Sequence, residues 1–146
     1  METMVVDDID KAILRELKQH GRMSYRELGE TIGLSATAAA ARLEKLTEAG
    51  VIDRFGAVIN RTALGQTLHA FIDVKFTQSS VKDEFLELIA GLDAIESAHH
   101  ITGPFDCAID AWVASSDELA TLLIALKATG NVADIQTRLV LNSLKD

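Results

Sequence analysis

Ser35, Thr37, Ala38, Ala41, Arg42 and Lys45 fall within eleven consecutive residues, and in that order they could hold a DNA duplex. Hydroxyls and cations bind phosphate oxygens, while residues without bulk let a helix approach base edges closely. Arg42 lies on the border of the inward face, so it is either a phosphate clamp or a brace against the core. A second candidate is His99-His100, which could ligate a metal only if both rings met one site. Adjacent strand residues point to opposite faces, so no metal pair is expected there. No nucleophile and base pair, phosphate loop or metal-spaced ligand set occurs elsewhere, and no cofactor is implied.

The first group needs a helix to carry it. Ser35 is a good N-cap, Ala38 to Ala41 are the strongest helix formers, and Gly50 sits where a left-handed stop is expected. Helical spacing puts Ala39, Leu43 and Leu46 on one buried stripe, with Thr37, Ala38, Ala41, Glu44, Lys45 and Glu48 facing outward. Upstream, Asp10 begins a helix with Ile13, Leu14 and Leu17 inward, and Gly21 ends it. Ser24 and Glu27 form a capping box for a short helix carrying Leu28 and Ile32, which adds Ser24 to the expected DNA contacts. Three helices in about 40 residues, the last two joined by a glycine turn, make a helix-turn-helix, although any small three-helix bundle shares that outline. After Gly50 the apolar residues Val51, Ile52, Phe55, Ala57, Val58 and Ile59 suggest extended chain, a wing or an arm.

The totals bound the function. The 146 residues suffice for one ordinary domain or two small ones. A net charge of −8 argues against a general nucleic-acid binder. The charge is uneven, however: Lys11 to Lys45 holds seven basic and four acidic residues, a local +3, whereas residues 61–146 hold six against twelve. Binding by a local patch, present in more than one copy, fits that distribution. No apolar run approaches about 18 residues and Met1 to Asp8 is acidic, so neither a membrane span nor a signal peptide is expected, and the cytoplasm is the expected location. The single cysteine, Cys107, sits in an alternating apolar run and reads as a small buried hydrophobe.

From Thr67 the pattern changes to strands. Leu68, Ala70, Ile72, Val74 and Phe76 alternate with His69, Phe71, Asp73 and Lys75. A helix capped by Ser79 or Ser80 follows, then strands at Ile95–Thr102 and Phe105–Val113 about a Gly103-Pro104 turn. A helix starting at Ser116 or Asp117 and a last strand through Ile135, Thr137, Leu139 and Leu141 complete a βαββαβ order. The expected architecture is therefore α+β, with a winged helix-turn-helix at 1–52, a linker or wing at 53–66 and a ferredoxin-like domain at 67–146. One sheet face lacks a helical cover and carries Phe71 and Trp112, so pairing of two such faces in a homodimer would bury them. A dimer also presents two reader helices to a palindromic operator.

Taken together, the chain resembles the Lrp/AsnC family, the feast/famine regulators. The resemblance rests on Asp10, Ile13-Leu14, Leu17, Gly21-Arg22, Ser24, Leu28, Gly33-Leu34-Ser35, Arg42, Leu46 and Gly50-Val51-Ile52 at the N-terminal end. It continues through Leu64-Gly65, Thr102-Gly103-Pro104-Phe105-Asp106 and Thr137 to Lys145. It implies a sequence-specific DNA-binding transcriptional regulator with a RAM-type effector domain, dimers assembled into octamers or open helices, and an amino-acid effector. The effector site it implies comprises Thr102, Gly103, Pro104, Phe105 and Asp106, with His100 and Thr137 as further contacts. Gly103 would admit a close backbone approach and Asp106 would take an ammonium group. Otherwise Gly103-Pro104 is a tight hairpin and Asp106 a solvated edge residue. Proline after Gly103 removes one N–H donor that relatives offer.

Two other readings stand beside this one. A tetrapyrrole decarboxylase on the same architecture would use His99-His100, but Arg61 and Arg138 are too few to grip several carboxylates. A ligand-binding assembly protein without DNA binding conflicts with the local basic excess.

Overall fold

The structure, a computed structural model, describes residues 4–145. Met1–Thr3 and Asp146, the outer ends of the expected ranges 1–52 and 67–146, lie outside the described residues. The chain divides into two compact units between Val58 and Ile59.

The first unit contains α1 (Asp8–Gln19), α2 (Tyr25–Ile32) and α3 (Ala36–Glu48). Helix α1 starts two residues before Asp10, because Asp7 is its N-cap and Asp10 is the reciprocal partner of a capping box. The Ser24 and Glu27 box opens α2, and Ser35 caps α3 by accepting from the Ala38 amide at 3.1 Å. Ile13, Leu28, Ala39 and Leu46 are fully buried, and Leu43 is nearly so. The expected stripe of α3 is thus the side that meets the other helices. Gly29 sets how closely α2 meets the following turn: a Cβ there would lie 2.6 Å from the carbonyl oxygen of Leu34. Residues 53–60 have no strand pairing, so the expected wing does not form among the described residues, and Phe55, Val58 and Ile59 are exposed.

The second unit opens with a 3₁₀ turn at Thr62–Leu64 and continues β1 (Leu68–Phe76), α4 (Asp83–Ala90), β2 (Ile95–His100), β3 (Cys107–Val113), α5 (Ser116–Ala128) and β4 (Val132–Leu139). The antiparallel sheet has the order β2-β3-β1-β4, the ferredoxin-like arrangement expected from the element order. Phe85 of α4 and Leu119, Leu122 and Leu126 of α5 pack with Ala70, Ile72, Val74 and Ile109 on one face. Helix α4 starts at Asp83 rather than near Ser79 or Ser80. The fully buried Asn131 accepts from the Lys82 amide at 2.8 Å and so holds the preceding segment out of the helix. Cys107 lies in this core, and burial pushes its thiol up.

On the opposite face the register brings together His69, Phe71 and Asp73 of β1, Asp110 and Trp112 of β3, and Arg138 of β4. His69 stacks on Trp112 with centroids 4.0 Å apart and meets the Asp110 carboxylate at 2.7 Å. Arg138 pairs with Asp73 at 2.8 Å and lies 5.9 Å from the Phe71 ring centre. Asp73 and Asp110 therefore have partners, and Phe71 remains partly exposed. No helix among the described residues is long and apolar enough to cross a membrane.

Candidate functional site

Two surfaces collect the candidate residues, one in each unit. On α3, Thr37, Ala41, Glu44 and Lys45 are exposed. Ala38 is only half-exposed, a correction to its outward placement, because it borders the buried Ala39 on the inward side. The hydroxyls of Ser24 and Ser35 serve first as helix caps. Ser24 also donates to the Glu27 carboxylate at 2.7 Å, and these bonds hold that carboxyl below its usual value.

Arg42 is the marked difference from a row of DNA-facing cations. Its Nη1 donates to Asp7 Oδ2 at 2.7 Å and to Asp10 Oδ1 at 2.8 Å, and Asp10 is only 2% exposed. Of the two roles open to it, the brace is the one its contacts match. The bond from the Asp10 amide, followed by Arg42, holds the Asp7 carboxyl below the usual carboxylate range, and the two carboxylates raise the Arg42 guanidinium. Lys45 has no ion pair among the described residues and carries its charge outward from the next turn of α3.

In the second unit, β2 and β3 are joined by residues 101–106 rather than by a tight Gly103-Pro104 hairpin. The Ile101 amide donates to the Asp106 carbonyl at 2.9 Å, and the Asp106 amide donates to the Val74 carbonyl at 2.9 Å. The Asp106 side chain is bound within the chain, and this corrects its expected freedom to meet a ligand ammonium. One oxygen accepts from the Phe76 amide at 2.8 Å and the other from Lys75 Nζ at 3.1 Å. The Phe76 bond first, then Lys75, holds this carboxyl below the usual range. Thr102, Gly103 and Pro104 form the exposed apex, and Phe105 is half-buried. Gly103 has φ +114°, a conformation that disfavours any residue with a Cβ. Among the described residues, no acceptor meets the N–H of Thr102, Gly103 or Phe105.

His100 ends β2 immediately before this loop and is exposed. His99 pairs in register with Ala108 and His100 with Cys107, so the two rings leave opposite faces. Thr137 stands opposite Ile72 on β4, the strand beyond β1 from the loop, and the chain by itself does not bring it there.

Residues 6–47 match the profile of the AsnC-type helix-turn-helix domain, and residues 69–146 match that of the Lrp/AsnC ligand binding domain. The chain belongs to the Lrp/AsnC family. Curated relatives include the HTH-type transcriptional regulator FL11 of Pyrococcus furiosus, 30% identical over 97% of this chain and 93% of the relative. The regulator LrpA of Mycobacterium tuberculosis is 32% identical over 94% of this chain and 91% of its own length. Among solved structures, a transcriptional regulator of Neisseria meningitidis in complex with L-methionine aligns at TM-score 0.89 and 26% identity, covering 97% of this chain and 94% of that one. A feast or famine regulatory protein of M. tuberculosis complexed with L-methionine aligns at TM-score 0.86 and 30% identity, over 97% and 96%.

As a member of the Lrp/AsnC family, the chain is a DNA-binding transcriptional regulator with a small-molecule-binding domain, not an enzyme. Nothing in these likenesses supports the tetrapyrrole alternative. Sequence reasoning missed Asp7 and Gly29. The first was legible as an acidic N-cap three residues before Asp10, whereas nothing local signalled the second.

Proposed function

We propose that this Lrp/AsnC regulator binds a palindromic operator as a homodimer in the cytoplasm, and that an amino acid at the 101–106 loop adjusts that binding. Thr37, Ala41 and Lys45 meet the duplex, with Ala38 at the edge of the contact and Ser24 and Ser35 holding the helix starts that face it. Two open sheet faces pair about a two-fold axis, which buries Phe71 and Trp112 and presents two copies of α3.

The observation that carries the effector reading is the pinned loop. Asp106 fixes it against the end of β1, while among the described residues the N–H groups of Thr102, Gly103 and Phe105 have no acceptor. Such groups suit the carboxylate of a free amino acid. With Asp106 occupied, the ammonium is met by a neighbouring copy, so ligand binding favours assembly, up to the octamer. Two similar structures carry L-methionine, which makes it the first amino acid to test.

A thermal-shift screen of the twenty amino acids tests the loop, and gel shifts against the chain's own upstream DNA test the operator. One amino acid should raise the melting point and change the DNA affinity together. No response to any of the twenty would defeat the effector reading, and equal affinity for random duplex at moderate salt would defeat the operator reading.

A further inference from the structure

We propose that Arg42 is a positioning residue: Asp7 and Asp10 hold it off the duplex and thereby fix how α3 is presented to DNA. The inference rests on the reading of α3 as the DNA-facing helix. All four carboxylate oxygens of the acidic pair are used. Asp7 Oδ1 accepts from the Asp10 amide at 2.8 Å and Asp10 Oδ2 from the Asp7 amide at 3.1 Å. The remaining oxygen of each accepts from Arg42 Nη1. The first turn of α1 has therefore already fixed both carboxylates before the guanidinium arrives, and little side-chain freedom is lost in forming the clamp.

If Arg42 turned to a phosphate, Asp10 would be left at 2% exposure with its charge uncompensated, which is strongly unfavourable. The contacts also span the unit, joining residues 35 and 32 apart in sequence. They tie the start of α1 to the middle of α3, on the side next to the exposed Ala41 and Lys45. Rotation of α3 about its own axis, which would re-aim Thr37 and Ala41, has to break them.

A positioning role for Arg42 has an effect opposite in sign to simple electrostatics. The clamp carries two negative charges and one positive. Neutralising one acid should strengthen DNA binding if charge alone mattered, and more so if it released Arg42 to a phosphate. Positioning predicts weaker specific binding instead.

The test uses the full chain and a duplex enriched from a random pool by the unaltered protein. Asp10→Asn should lower affinity for that duplex by about tenfold, the scale of one lost base contact. Affinity for random duplex and the slope of log K against log salt should stay unchanged. Where Asp10→Asn fails to fold, Asp7→Asn, which keeps a good N-cap, should show the same loss in milder form. Tighter binding with a steeper salt slope would overturn the proposal by making Arg42 a phosphate contact. Unchanged specific affinity in folded variants would overturn it by leaving the clamp a purely structural pair. Failure of the unaltered chain to enrich any duplex would instead sink the DNA reading on which the proposal rests.

Discussion

Helix α3 and the 101–106 loop solve the same problem in two unlike settings. In each, a charged residue that looks made for a ligand is turned into the chain, Arg42 toward Asp7 and Asp10, Asp106 toward Lys75 and the Phe76 amide. Beside them, small side chains or backbone face outward: Thr37 and Ala41 on α3, next to the exposed Glu44 and Lys45, and Thr102 to Pro104 on the loop. The difference lies in the support. Helix α3 is fixed by a buried core as well as by its clamp, whereas the loop is held by Asp106 together with two backbone bonds. In both places the inward-turned charge sets local geometry.

The largest effect is expected at the helical core. Leu46→Ala should cost about 2–5 kcal/mol, removing the melting transition of the first unit and DNA binding while the second unit's transition stays. A shared loss of both transitions would contradict independent support. Gly29→Ala places a Cβ 2.6 Å from the Leu34 carbonyl. It should cost about 1–3 kcal/mol and lower DNA affinity, and calorimetry that found no change would show that the approach of α2 to the turn is slack. Asp106→Ala should abolish the effector response and speed hydrogen exchange at the Phe76 amide severalfold without ligand, with DNA binding unchanged. Lost response with normal exchange at Phe76 would return Asp106 to direct ligand contact.

Acid weakens both units through carboxylates that accept hydrogen bonds. The carboxyls of Asp7 and Asp106 lie below their ordinary 3.8, and that of Glu27 below 4.5. A lowered carboxyl contributes stability in full above its ordinary value and loses it as pH falls through the lower folded value. Both units should therefore keep these contributions from pH 5 to 8 and lose them as pH falls below 4.5 for Glu27 and below 3.8 for Asp7 and Asp106. Circular dichroism of Asp106→Ala should show a shallower acid loss in the second unit alone. The smallest effect belongs to the exposed pair Arg26–Glu30, whose side chains are 83% and 65% exposed. Glu30→Gln should change stability by no more than about 0.5 kcal/mol, measurable as an unchanged denaturation midpoint.

The legible parts of this chain are those whose cause is local. Ser24 with Glu27, Ser35 before four alanines and the stripe of Ala39, Leu43 and Leu46 state their structure within a few residues. The alternation from Leu68 to Phe76 does the same for β1. The clamp and the loop staple were not legible, because their partners stand 30 to 35 residues apart and depend on how elements cross. Asn131 likewise delays α4 through a bond to Lys82, 49 residues away. The segment at 53–60 carried a strand's composition, but composition cannot supply a partner for its backbone.

The outward side chains of α3 have one more consequence. Among the described residues, the side chains of Thr37, Ala41 and Glu44 take part in no core contact and no hydrogen bond. Heritable exchange at these three sites changes the outward surface of α3 and leaves the scaffold's stability nearly untouched. A duplicated copy of this chain could therefore vary the outward surface of α3 by single substitutions, each without compensating repair elsewhere.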